Sequence, residues 1–241
     1  MWYEFCKIEV LKQRNMKKLI YAITFCLFAS SSYAQYSETR IIKDFDELRV
    51  IGPFEIELVE DQAKQLVIES AEIDLHKIIT EMDGTALKIR SAAAFTSKKT
   101  IHIKINYDVI RELTASAGAI IFSNKPIYGD KIAIKANAGG RIELQLDMEK
   151  LEIKATQGAQ VMLEGKVKTA EMHCTTGANL DASNLKTNTV FVESSTGGLV
   201  EVFATDKLDA HATTKGRILY VGNPSKLINE VKLKGSIKKK G

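Results

Sequence analysis

Two histidines and a glutamate recur at nearly equal intervals in the chain: His173, Glu193 and His211. Imidazole and carboxylate are ligand types for a divalent metal, and together they also make a pH-sensitive pair. Residues so far apart act together only if repeats of about 20 residues stack with equivalent positions about 4.8 Å apart. The column would then read Lys135, Lys154, His173, Glu193 and His211. The outer histidines would lie about 9–10 Å apart. We therefore expect a solvated face with mixed charge, and no metal or other cofactor; metal coordination by His173, Glu193 and His211 is the sharper alternative.

Other reactive groups are sparse. There is no G-x-S-x-G elbow and no Cys–His signature, so no catalytic residue is assigned. Ser194 and Ser195 precede Gly197 where other copies of the repeat carry Thr or Asn, which points to a turn role. Cys174 substitutes for Ala in a small inward column and is expected to be a buried, inert thiol. Asp147, Glu149, Asp181, Glu201 and Asp206 fall in different columns or turns, so they do not assemble the facing carboxylates of a glycoside hydrolase.

The elements that would position these residues are repeats. Six segments align: LTASAGAIIF (113–122), IKANAGGRIEL (134–144), IKATQGAQVML (153–163), MHCTTGANLDA (172–182), VESSTGGLVEV (192–202) and AHATTKGRILY (210–220). Gly118, Gly139, Gly158, Gly177 and Gly197 mark their centres at gaps of 21, 19, 19 and 20 residues. In the sixth copy Lys215 takes that place and Gly216 follows. Around each centre, apolar and polar residues alternate with period two, the mark of a strand with one buried face. Glycine supplies the left-handed turn between strands. Strands this short bury their apolar faces only by stacking coil on coil. Two inward columns follow: Ala115, Ala136, Ala155, Cys174, Ser194, Ala212, and Leu113, Ile134, Ile153, Met172, Val192, Ala210. The expected fold is all-β, a β-solenoid with a less regular strand-and-hairpin start. In that start Asp83-Gly84 favours a hairpin over a helix through Leu75, Ile78, Ile79 and Met82.

The chain of 241 residues opens on a different kind of segment. From Met16, Lys17 and Lys18 precede an apolar run and a small-residue stretch ending at Ala34, the pattern of a secretory signal over 16–34. On this reading Met1–Asn15 is an upstream, non-native start. Cys26 is no lipidation site, because it lies inside the apolar run after the bulky Phe25. Cleavage after Ala34 leaves 29 basic and 28 acidic residues, so the net charge of +4 belongs largely to the removed part. A nucleic-acid partner is thereby excluded, since phosphate binding needs a basic face. The apolar run is shorter than the roughly 20 residues of a membrane span, and no transmembrane anchor is expected after cleavage. Cys174 alone remains, so stability rests on packing and backbone pairing. Residues 41–226 form one domain, with 41–110 irregular and 111–226 repetitive; 227–241 are a last strand and a solvated basic tail.

Three stretches carry a resemblance to a known family: FDELRVIGPFEIELVED (45–61), IITEMDGTALKI (78–89), and the glycine turns ending in ILYVGNP (218–224), with Gly222, Asn223 and Pro224 in the closing pattern. The chain resembles the bacterial family called putative auto-transporter adhesin, head GIN domain, over about 41–226. The family's turns often read Gly-Ser-Gly-Asp, whereas these read Ala-Gly-Ala, Ala-Gly-Gly or Thr-Gly-Gly. The residues after the repeats are too few for the membrane barrel of a complete autotransporter.

The functional expectation is an exported, non-enzymatic binding or surface-display module in the periplasm, on the outer membrane or outside the cell. Its partner would be a glycan or an envelope protein. A polysaccharide-active enzyme on the same scaffold and a ligand-free periplasmic scaffold are the alternatives. A homo-oligomer is also open to it, because solenoid ends expose strand edges.

Overall fold

The computed structural model describes residues 36–70, 75–92 and 101–240. The expected signal at 16–34 and the stretch before it lie outside the described residues. Tyr36–Gly241 form one compact unit, whose described residues are all-β apart from a 3-10 turn at Leu75–Lys77.

The repeats build a stack of parallel strands. Strands β10 (Ile127–Asn137), β11 (Arg141–Ala155), β12 (Gln160–Cys174), β13 (Asn179–Ser194) and β14 (Leu199–Ala212) each pair in parallel with the next. Each long strand is two short ones joined at a corner. In β11, Ile142, Leu144, Leu146 and Met148 face inward, then Glu149 and Lys150 both face out, and Leu151, Ile153 and Ala155 return inward. A straight strand alternates strictly, so two successive outward residues mark the bend. The two inward columns expected from the sequence are in register and buried throughout.

The turns between coils share one geometry. Ala138 and Gly139 have φ of 47° and 74°, and the Gly140 N–H donates to the Asn137 carbonyl at 2.9 Å. That is a type I′ turn. It recurs at 116–119, 156–159, 175–178, 195–198, 213–216 and 232–235. The turns also bond to one another: Gly139, Gly158, Gly177, Gly197 and Lys215 donate N–H to the carbonyls of Gln157, Thr176, Thr196, Thr214 and Leu233, each at 3.1 Å. The left-handed backbone at Thr176, Thr196 and Thr214 is unfavourable for β-branched residues. It is held because each of their carbonyls accepts a rung of this ladder. Gly216 follows the left-handed Lys215 and is required for space: a Cβ there would lie 2.1 Å from the Ser194 carbonyl oxygen.

The seventh turn was not among the six aligned repeats. It joins β16 (Lys226–Val231) to β17 (Ser236–Lys239), which pair with β14 and with β15 (Arg217–Val221). The residues expected as a last strand and solvated tail are therefore a further coil, and Lys238 and Lys239 lie in a paired strand. The copy was obscured because Lys232, Leu233 and Lys234 replace the small turn residues. Gly222-Asn223-Pro224 lies between β15 and this coil. Asn223 Oδ1 accepts a hydrogen bond from Lys239 Nζ, which ties the closing pattern to β17.

The first part of the unit joins the same stack out of chain order. Strand β2 (Glu47–Ile51) lies in parallel between β6 (Ala86–Ser91) and β8 (Glu112–Ser116). Strand β3 (Phe54–Glu60) lies between β7 (Ile101–Tyr107) and β9 (Ile120–Ser123). The coil met first in sequence is thus sandwiched between two that come later. Beyond it the pairing turns antiparallel: β4 (Gln65–Ser70) on β7, β1 (Tyr36–Ile41) on β4, and β5 (Ile78–Asp83) on β6 across the Asp83-Gly84 hairpin. These strands cover the end of the core, which runs as a single cluster from Phe45 to Ile218.

Candidate functional site

The stacked coils bring the expected column together. Lys135, Lys154, His173, Glu193 and His211 occupy one register, and Glu230 extends it. Each histidine sits between two carboxylates. His173 has Nδ1 3.3 Å from Glu193 and Nε2 3.0 Å from Glu171. His211 has Nδ1 2.8 Å from Glu230 and Nε2 2.9 Å from Asp209. Ionised carboxylates only accept, so Glu230 and Asp209 together favour the form of His211 that carries a proton on both nitrogens. The hydrogen bonds from Glu230 and Asp209 accordingly raise the His211 pKa. Those of Asp209 and Glu230 are lowered, chiefly by Lys207 and Lys232 and further by His211. The imidazole nitrogens are thus engaged along the column and across to the neighbouring outward row. Among the described residues no group of three or more His, Cys, Asp or Glu converges as a metal site would. In that neighbouring row Lys207 Nζ lies 4.3 Å above the Phe191 ring. A shallow depression of about 210 Å³ runs between the two rows.

The possible nucleophiles lie inside the coil. The Ser194 side chain is fully buried, and its hydroxyl donates to the Gly198 carbonyl at 2.9 Å, bracing the turn. Cys174 is buried, its thiol is 3.2 Å from the Ala178 carbonyl, and burial pushes its pKa up to about 11. Such a thiol stays protonated and unreactive near neutral pH. Four of the five scattered acids have local partners: Asp181 accepts from Ser183, Asp206 from Asn188 and Thr205, Glu149 from Lys168, and Glu201 from Lys240. The turn positions Gly118, Gly139, Gly158, Gly177 and Gly197 all have positive φ.

A second site is absent from the sequence reading. A cleft of about 520 Å³ opens where the out-of-order coils meet. Its walls come from residues 42–46, 61–64, Thr85, 106–109 and Arg111. Two ion pairs line it, Lys64–Asp44 at 2.6 Å and Arg111–Asp46 at 3.1 Å. Tyr107 is among its least exposed lining residues, and burial, aided by Glu60, pushes its pKa up to about 12. The neutral phenol is therefore the form present near neutral pH. In sequence these segments are ordinary polar loops; only the insertion of β2 and β3 between later strands makes them neighbours.

The sequence and the fold both have counterparts among known proteins. The sequence profile of the family described as putative auto-transporter adhesin, head GIN domain, matches residues 44–224. The chain belongs to this family. The GIN domain thus takes in the irregular start together with the repeats. Several solved structures share the fold. A putative adhesin from Bacteroides fragilis NCTC 9343 aligns with a TM-score of 0.76 at 22% identity, over 87% of this chain and 98% of its own. A putative adhesin from Parabacteroides merdae ATCC 43184 gives 0.72 at 18%, over 86% and 96%. A putative lipid binding protein from Parabacteroides distasonis ATCC 8503 gives 0.67 at 20%, over 86% and 97%. No curated protein matches the GIN chain. Among the described residues no helix is long and apolar enough to cross a membrane.

Proposed function

We propose that the protein is an exported display and binding module of the bacterial cell envelope that performs no covalent chemistry of its own. The observation that carries this reading is the distribution of reactive groups. His173 and His211 on the outer face are held between carboxylates, whereas Ser194 and Cys174 face the core and serve the turns. What the molecule offers to a partner is a rigid stack with regularly spaced side chains and a polar cleft near one end. The secretory pattern at 16–34 and the adhesin names of the related structures support an envelope location.

The test is to express the chain with its own leader, treat intact cells with a protease that does not enter them, and fractionate. Digestion on intact cells, or recovery from the medium, is the expected result. Protection until the periplasm is opened would remove adhesion and redirect the search to periplasmic partners. An uncleaved cytoplasmic product would overturn the proposal.

A further inference from the structure

We propose that the cleft walled by residues 42–46, 61–64, 106–109 and Arg111 is a binding site for a neutral, hydroxyl-rich oligosaccharide. This deepens the binding reading above, but it concerns purified protein and does not depend on where the cell delivers it.

Three observations carry the assignment. The first is preorganisation. The walls come from four separate parts of the chain and are joined by backbone hydrogen bonds. Ile42 N–H donates to the Lys64 carbonyl at 3.0 Å, and Asp61 N–H to that of Tyr107 at 3.0 Å. Asp46 N–H donates to Thr85 at 3.2 Å, and the Asp46 carbonyl accepts from Arg111 and Glu112 at 2.7 and 3.1 Å. A site held in this way loses little freedom when a ligand enters. Its volume of about 520 Å³ falls within the range of small-ligand clefts.

The second observation is charge balance. Asp44, Asp46, Asp61 and Asp108 share the cleft with Lys43, Lys64 and Arg111. Two carboxylates are matched to cations by the Lys64–Asp44 and Arg111–Asp46 pairs. The balance leaves no cationic surplus to draw in a phosphate or sulfate polymer, and too small an anionic surplus to select a polycation. What remains is a set of pure acceptors beside pure donors. A sugar hydroxyl is both donor and acceptor, so it can donate to an aspartate and accept from the neighbouring Lys or Arg.

The third observation is an apolar strip within this polar frame. Val109 is 50% exposed and shares the lining with Ile42, Phe45 and Tyr107. A pyranose ring has an apolar C–H face and a hydroxylated rim, and the cleft offers a surface for each.

The experiment is a titration of the ¹⁵N-labelled protein with neutral di- and trisaccharides covering hexoses, deoxyhexoses, pentoses and N-acetylhexosamines, with sialyllactose and a sulfated heparin disaccharide as anionic probes. At least one neutral sugar should shift the amides of Asp46, Val109 and Arg111 together, with an affinity nearly independent of salt. Arg111→Met and Val109→Glu should each weaken it by about tenfold or more. Val109→Glu leaves both ion pairs intact, so a loss there is not a folding defect if the unfolding midpoint is unchanged. His211→Gln, in a different coil, should bind like the parent. The assignment is overturned if no neutral sugar shifts these amides, if the shifts lie elsewhere, or if only the anionic probes bind with steep salt dependence. None of these results bears on export, which the protease experiment decides separately.

Discussion

The sequential stack from β10 to β17 and the rearranged region from β1 to β9 share one core but are built on different rules. In the stack each coil pairs with the coil about 20 residues away, so register follows from chain order. In the rearranged region β2 pairs with β8 across more than 60 residues, and antiparallel strands close the end. The repeated coils produce outer faces on which many charges pair with a neighbour in the same or the next coil. The rearrangement brings distant loops together and produces the cleft. Regular stacking makes a scaffold, and its interruption makes a concave site.

The largest expected effect tests whether the two regions are separable. Ile153 lies within the stack and is 1% exposed; Leu48 lies in the sandwiched strand and is fully buried. An unpaired carboxylate at either position should cost several kcal/mol, on the order of 3–5. Ile153→Asp should break the stack around it, abolishing hydrogen-exchange protection in β10, β11 and β12. Leu48→Asp should abolish hydrogen-exchange protection in β2, β6 and β8 while leaving it in β12–β14, because solenoid layers depend mainly on their neighbours. Equal loss throughout would make the protein a single cooperative body. Lys154→Asp, on the outer face beside Ile153, should leave the fold intact.

A smaller effect separates two kinds of glycine within the turns. A Cβ at Gly140 would lie 2.3 Å from the Ala115 carbonyl oxygen, while one at Gly158 would meet nothing within 4 Å. Gly140→Ala should therefore cost about 3 kcal/mol through displaced backbone. Gly158→Ala should cost only about 1 kcal/mol of left-handed strain. Chemical denaturation of both variants checks the difference.

The reverse substitution sharpens the same point. Thr176 is held at φ 52°, and Asn tolerates that conformation better than a β-branched residue. Thr176→Asn should raise stability by about 0.5 kcal/mol, since Asn-Gly is a preferred type I′ pair. No gain in unfolding midpoint would mean that the threonine methyl contributes packing that offsets the strain.

The smallest effect is pH dependence at the last coil. The His211 pKa is raised above its ordinary 6.5 by Glu230 and Asp209. Its stabilising contribution is complete below 6.5 and is lost as pH rises through the folded-state value. Asp209 and Glu230 are lowered, so theirs is present above the ordinary 3.8 and 4.5 and is lost as pH falls. The unfolding temperature of the parent should decline as pH rises above 6.5, and His211→Gln should decline less steeply. Parallel curves would mean that the exposed cluster contributes nothing measurable.

The sequence by itself determined the alternating strands, the glycine turns and the two inward columns. Period-two burial and left-handed backbone leave direct marks on residue type at Ile153, Ala155 or Gly158. It also placed His173, Glu193 and His211 in one outward row, because equal spacing in a stack implies equal position. It did not reveal the flanking carboxylates Glu171 and Asp209, which reach the histidines from the neighbouring outward row. The last coil leaves little mark on the sequence because Leu233 and Lys234, not glycine, occupy both left-handed positions of its turn, held there by the turn ladder. Only the tertiary structure decided that β2 and β3 lie between strands that follow them in the chain, and hence that Asp46 meets Arg111. A residue pattern records which face of a strand is buried and not which strand lies beside it. The partner of an edge is chosen by the core as a whole.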